Sequence, residues 1–198
     1  SLYATFSEAR AFSQDLNGWN VSRVTNFNFV FAQAQAFNGD VSNWDVSSGT
    51  SMAVMFFLAT TFNRDISNWN VGRVSDFSSM FEDAYAFNQS LNDWDVGSAT
   101  TVWRMFFSLN PYDSTFNQTL RSWRFRASSV DVSKVFHGAR QFSGDTSCWF
   151  ADNASHVGSS TAPFLLSGVE ANHLEPCWYP NSPNFPECLA CRVYAGVV

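Results

Sequence analysis

A phenylalanine and a tryptophan seven residues apart recur along the chain: Phe12–Trp19, Phe37–Trp44, Phe62–Trp69, Phe87–Trp94, Phe116–Trp123 and Phe142–Trp149. The phenylalanines are 25, 25, 25, 29 and 26 residues apart. A fixed period in this range is the signature of a repeat array. Two departures localise the insertions, one at "NPYDS" (110–114) and one just after Trp123. Both are expected as surface loops. Within each period the apolar positions fall into two patterns. The first, Leu16-x-x-Trp19-x-Val21 and its counterparts at 41–46, 66–71 and 91–96, puts Trp and Val two apart. That spacing predicts a short strand with both side chains on one face. The second, Phe27, Val30, Phe31 and Ala34, has i, i+3, i+4, i+7 spacing and predicts a short helix. Met52, Met55, Phe56 and Ala59 repeat it, as do Phe77, Met80, Phe81 and Ala84. Thr25, Thr50, Ser75 and Thr100 precede these runs as helix N-caps.

The expected architecture is a leucine-rich-repeat-like α/β solenoid with short parallel strands and short helices. One unit cannot bury its own Trp and Phe, whereas stacked units bury each other's. A buried Trp removes roughly 150–250 Å² from water, or roughly 4–6 kcal/mol before entropy at about 25 cal/mol/Å². The repeats occupy residues 1–150, with a partial repeat at 1–10 and six repeats from residue 11. Residues 151–198 break the pattern. Five of the six prolines and three of the four cysteines lie there, with Cys148 at its edge. Cys148, Cys177, Cys188 and Cys191 predict an irregular C-terminal cap stapled by two disulfides. Four cysteines allow three pairings. Cys148–Cys177 with Cys188–Cys191 is the pairing preferred, and a zinc site is the rival reading.

The string F-N-x-D-[IV]-S-x-W-[ND]-V, followed by a Met/Phe run and A-x-x-F, resembles the BspA-like surface-protein repeat. The resemblance covers about residues 11–150 and thins in the last two repeats, where Phe125 replaces a Val and only "FSGDTSCW" survives. It implies an extracellular or cell-surface location and an interaction role, and it brings no catalytic residues.

Composition narrows the function further. The net charge is -6, with 11 basic residues of which Lys134 is the one lysine. That balance argues against a nucleic-acid binder, which needs a basic stripe. No apolar run approaches a membrane span. Charged residues are 14% against a usual quarter, as expected where most positions face a neighbouring repeat. Disulfides favour an oxidising compartment, extracellular or lumenal. Four N-x-[ST] sequons, at Asn20, Asn88, Asn117 and Asn153, are possible glycosylation sites in such a compartment.

Three sets of residues are candidates for a binding surface. The first follows each Trp: Asn20, Asp45, Asn70 and Asp95, ending in an arginine cluster of Arg121, Arg124 and Arg126. Asn and Asp bond hydroxyls and amides, and Arg forks onto carboxylate or sulfate. The alternative is a cross-strand pairing of Asp93 and Asp95 with Arg124. The second, Asp15, Asp40 and Asp65, reads as turn capping rather than calcium, which wants six to eight oxygens. The third is an aromatic set, Phe57, Trp103 and Phe107, either an exposed patch or packing beneath the insertion. His137, His156 and His173 have no nucleophile or carboxylate partner in a recognised motif, and no phosphate loop occurs. The expectation is a non-catalytic module without cofactor or metal. Its partner would be a protein; assembly into a larger structure with neighbouring subunits and glycan adhesion are the alternatives.

Overall fold

The computed structural model describes residues 1–149 apart from 111, 128, 147 and 148. The expected cap at 151–198, the four cysteines with their pairing, and Asn153 lie outside the described residues.

The chain winds into stacked coils that begin at residues 1, 26, 51, 76, 101 and 131. What stacks is neither helix nor strand: the described residues contain no helix, and pairing of strand type is limited to single parallel bridges. These run Asn26–Ser51–Asp76–Thr101–Asp131, one residue per coil. The expected α/β class is therefore corrected. The segment predicted as a helix is a tandem of four-residue turns. The Val30 N–H donates to the Phe27 carbonyl, Ala32 to Phe29, and Ala34 to Phe31. Phe29 and Gln33 sit at φ 60°, at the third position of two of these turns. A positive φ there with an i→i+3 bond defines a type II turn. The pair recurs at Ala4 and Glu8, Val54 and Leu58, Ser79 and Asp83, and Lys134 and Gly138.

The amides between the turn bonds reach the next coil. Phe27, Phe29, Phe31 and Gln33 donate to the carbonyls of Ser51, Ala53, Met55 and Phe57, at 3.0, 3.1, 2.9 and 2.6 Å. Turn bond and coil-to-coil bond thus alternate along the backbone. A helix of eight residues would have left four N–H and four C=O groups unpaired at its ends. Tandem turns leave none inside the segment, and they still place i, i+3, i+4 and i+7 on one side. The apolar spacing is common to both conformations, so it could not distinguish them.

The strand expected at Trp–Val is also a turn. The Trp44 N–H donates to the Val41 carbonyl, and Gly49 to Val46. The expected N-cap hydroxyls do another job. Those of Thr50, Ser75 and Thr100 donate to the carbonyls of Thr25, Thr50 and Ser75, tying coil to coil.

The core is a set of aromatic columns. Phe31, Phe56, Phe81, Phe106 and Phe136 stack at 5.5–5.6 Å between ring centres. Beside them run Phe37, Phe62, Phe87, Phe116 and Phe142 at 5.8–6.1 Å. Trp44, Trp69 and Trp94 form a third column, spaced 6.3 and 6.5 Å. Each buried indole has a partner for its N–H in the preceding coil: Leu16, Val41, Ile66, Leu91 and Leu120 carbonyls accept from Trp44, Trp69, Trp94, Trp123 and Trp149. Trp is the aromatic that can fill the column and satisfy a buried carbonyl at once. Trp19, in the first coil, is 43% exposed. The insertion of coil five emerges where Ser108 leaves the turn pattern, and it exposes Leu109 and Tyr112.

Candidate functional site

The residues after each Trp are held by a local device. The Oδ1 atoms of Asn20, Asp45, Asn70 and Asp95 accept the N–H groups of Ser22, Ser47, Gly72 and Gly97, at 3.2, 3.1, 3.2 and 2.9 Å. Such Asx turns explain why Asn and Asp alternate in this position. The hydrogen bonds of Ser47, side chain first, hold the Asp45 carboxyl below the usual carboxylate range. The side chains remain exposed, one rung per coil.

In coil five the rung becomes arginine. Arg124 donates from Nη1 to the Arg121 and Trp123 carbonyls at 2.6 and 2.8 Å. Arg126 reaches back to coil four and pairs with Asp95, Nη1 to Oδ1 at 3.0 Å. Arg121 turns forward to Asp145 at 3.4 Å. The expected cross-coil pair therefore exists, with Arg126 rather than Arg124 as its cation. Asp93, Asp95, Ser122, Arg124 and Arg126 line an open cleft of about 300 Å³, floored by Trp94. The structure thus brings Asp95, Arg124 and Arg126 together. Asp45 and Asn70 stand on the rungs leading to them, and Arg121 faces the other way. A Cβ on Gly97 would lie 1.9 Å from the Arg126 Nη1. A glycine there is what lets the guanidinium lie over the backbone.

The acidic rungs next to the Phe are turn supports. Asp40 and Asp65 accept the N–H groups of Ser42 and Ser67 at 2.9 Å. The Asp15 Oδ1 accepts the Asp40 N–H at 2.8 Å. Backbone hydrogen bonds to Ser42 and Ser67 are the leading reason the Asp40 and Asp65 carboxyls lie below their ordinary range. Among the described residues no three His, Cys, Asp or Glu side chains gather as a metal site. The Asn rungs work across coils. The Oδ1 atoms of Asn38, Asn63, Asn88 and Asn117 accept the N–H groups of Asn63, Asn88, Asn117 and Ser143. The sequon residues Asn88 and Asn117 belong to this ladder. Asn20 belongs to the exposed ladder after the Trp.

The third set lies on the face made by the tandem turns. Phe107 is not an exposed aromatic: it is 9% accessible, with the Arg104 guanidinium 3.8 Å from its ring centre and the His137 ring stacked at 5.2 Å. Trp103 and Phe57 are partly exposed. Beside them is a buried acidic pair that the sequence did not signal. Glu82 and Asp83 are each 6% accessible. Glu82 pairs with Arg104, and Asp83 accepts the Leu109 N–H at 2.7 Å, which seats the inserted loop. Desolvation raises both carboxyls above their ordinary range. A helix would have placed these two residues on its solvent side.

No curated protein and no solved structure matches the chain. One family model does match, over residues 1–114 and 111–165. It is described as "Mycoplasma protein of unknown function, DUF285", and these two segments take in the turn-built coils. The chain therefore belongs to the DUF285 family.

Proposed function

We propose that this chain is a non-catalytic interaction module of a secreted or cell-surface protein, akin to the BspA-like repeats, which binds a protein partner through a face built by its repeats. The observation that carries this reading is the rung series Asn20, Asp45, Asn70, Asp95. Exposed polar side chains are held in register, one per coil, and they end in a cleft where two carboxylates and two guanidiniums converge. Fixed donors and acceptors at coil spacing suit an extended polypeptide, whose own polar groups repeat at comparable intervals. Preorganisation spares the partner the entropic cost of ordering the face.

The test is selection of a displayed random-peptide library on the purified protein. Peptides whose binding falls at least tenfold in Arg126→Ala and in Gly97→Ala support the reading. Gly97→Ala acts by displacing the Arg126 side chain while leaving every charge in place. Binding to arrayed glycans that is lost in Arg124→Ala would instead make the cleft a glycan site. Self-association in sedimentation, abolished by Trp103→Asp, would make the chain a structural subunit.

A further inference from the structure

The tandem turns make a second face, independent of the cleft, whose character changes along the stack. Along the first positive-φ position of each coil it runs Ala4, Phe29, Val54, Ser79, Arg104 and Lys134, while the second is polar in coils one and two, at Glu8 and Gln33. Coils two and three carry its apolar part: Phe29, on which the 58% exposed Tyr3 packs at 5.6 Å, and Val54, Phe57 and Leu58, all partly exposed. Coil four interposes the buried Glu82 and Asp83. In coils five and six the face turns cationic and aromatic. Arg104 lies 5.1 Å from the centre of the Trp103 ring, and Lys134 and Arg140 are exposed. Arg140 supports Tyr112 of the inserted loop, 5.0 Å from guanidinium to ring centre. Of the acids near this end, Glu82 is paired with Arg104. Asp113 accepts from Asn110, and Asp131 from Ser133.

Positive φ recurs in every coil, and in coils two and three it is held by bulky apolar residues. Phe29, Val54 and Leu58 occupy φ values of 60°, 62° and 54°. Glycine or asparagine would hold those positions with less strain, and a β-branched residue there is an outlier. Bulky apolar side chains are kept, only partly buried, where folding alone favours small or polar ones. Strain of this kind, once observed, points to function.

We propose that the turn face is a docking track for an extended partner segment that carries apolar residues and, about five residues further along, acidic ones. The spacing follows from the stack. Ring centres from coil three to coil six are 5.6, 5.6 and 5.5 Å apart. An extended chain rising about 3.3 Å per residue covers the resulting distance of roughly 17 Å in about five residues. Apolar side chains then rest on Phe29, Val54, Phe57 and Leu58, and carboxylates meet Lys134 and Arg140. The charge complementarity sets the direction in which the segment lies.

The experiment sorts peptides from a displayed random library by the variants that lose them. Expected are peptides with the apolar–acidic offset whose binding falls at least tenfold in Val54→Asn and in the double variant Lys134→Glu/Arg140→Glu, but not in Gly97→Ala. Val54→Asn suits the positive φ, so lost binding there is not lost folding, and thermal melts of each variant check this. Recovery of no such peptides would overturn the proposal, as would binders indifferent to both variants. Since Gly97→Ala and Arg126→Ala report on the cleft alone, either face can fail without the other.

Discussion

Replacing Trp69 by Phe probes the aromatic column and the backbone pairing together. The Trp69 indole is 3% exposed and lies between Trp44 and Trp94, and its N–H donates to the Val41 carbonyl at 3.1 Å. That carbonyl also accepts the Trp44 N–H, so the substitution leaves it one bond rather than none. The lost hydrogen bond is worth about 1 kcal/mol. The roughly 40 Å³ between indole and phenyl adds about 1 kcal/mol at ~24 cal/mol per Å³ of residual cavity. The expected loss is about 2 kcal/mol, or a Tm lower by roughly 4–8 °C for a chain of this size. Trp19→Phe is the internal control. Trp19 is 43% exposed in the first coil, and its change should cost under about 0.5 kcal/mol. Urea unfolding of both variants, followed by circular dichroism, measures the difference. Equal losses in the two variants, or a loss below about 0.5 kcal/mol for Trp69→Phe, would refute the column as the source of stability.

Gly138→Ala should destabilise by roughly 2–4 kcal/mol, combining a left-handed Ala with overpacking. Gly138 sits at φ 79° and a Cβ would meet the Ser108 carbonyl oxygen at 1.9 Å, whereas Gly18→Ala, with nothing within 4 Å, should be neutral in the same melt. Val54→Asn should raise the melting temperature, or leave it unchanged, by relieving a strained β-branched residue at φ 62°. The buried acids give a pH test. Asp83 is raised by desolvation, so it binds protons more readily folded than unfolded. Its contribution is full below the unfolded pKa and is lost as pH rises through the raised folded value. Asp83→Asn keeps an acceptor for the Leu109 N–H and should gain stability relative to the parent as pH climbs from acid to neutral. Asp40 and Asp65 run the other way: their lowered carboxyls contribute above the unfolded pKa, and that contribution is lost as pH falls through the lowered values.

The period, the register and the buried columns were legible because they depend only on which residues recur. Trp44, Trp69 and Trp94 are buried, 2–3% exposed, as the repeat implied. The local conformation was not legible. Phe27, Val30, Phe31 and Ala34 fall on one side of a helix and equally on one side of tandem turns. What separates them is the sign of φ at Phe29 and Gln33, which neither residue advertises. The turn-capping reading of Asp40 and Asp65 needed only local chemistry, and it agrees with their hydrogen bonds. The arginine cluster was visible, but its pairing depended on which rung faces which across a five-residue-longer coil. Arg126, not Arg124, meets Asp95. Phe29, Val54 and Leu58 went unnoticed because they lie off the Phe27, Val30, Phe31 and Ala34 spacing that marks the core, and nothing in their residue types signals a positive φ.

The most direct test of the turn-built coil is an NMR measurement of φ and hydrogen bonding through residues 27–34 and 52–59. The account predicts strong intraresidue HN–Hα contacts at Phe29, Gln33, Val54 and Leu58, the mark of positive φ. It also predicts scalar couplings across hydrogen bonds from the Phe29 and Phe31 amides to the Ala53 and Met55 carbonyls. Negative φ at those four residues, with amides bonded four residues back in their own segment, would contradict it and restore the helix.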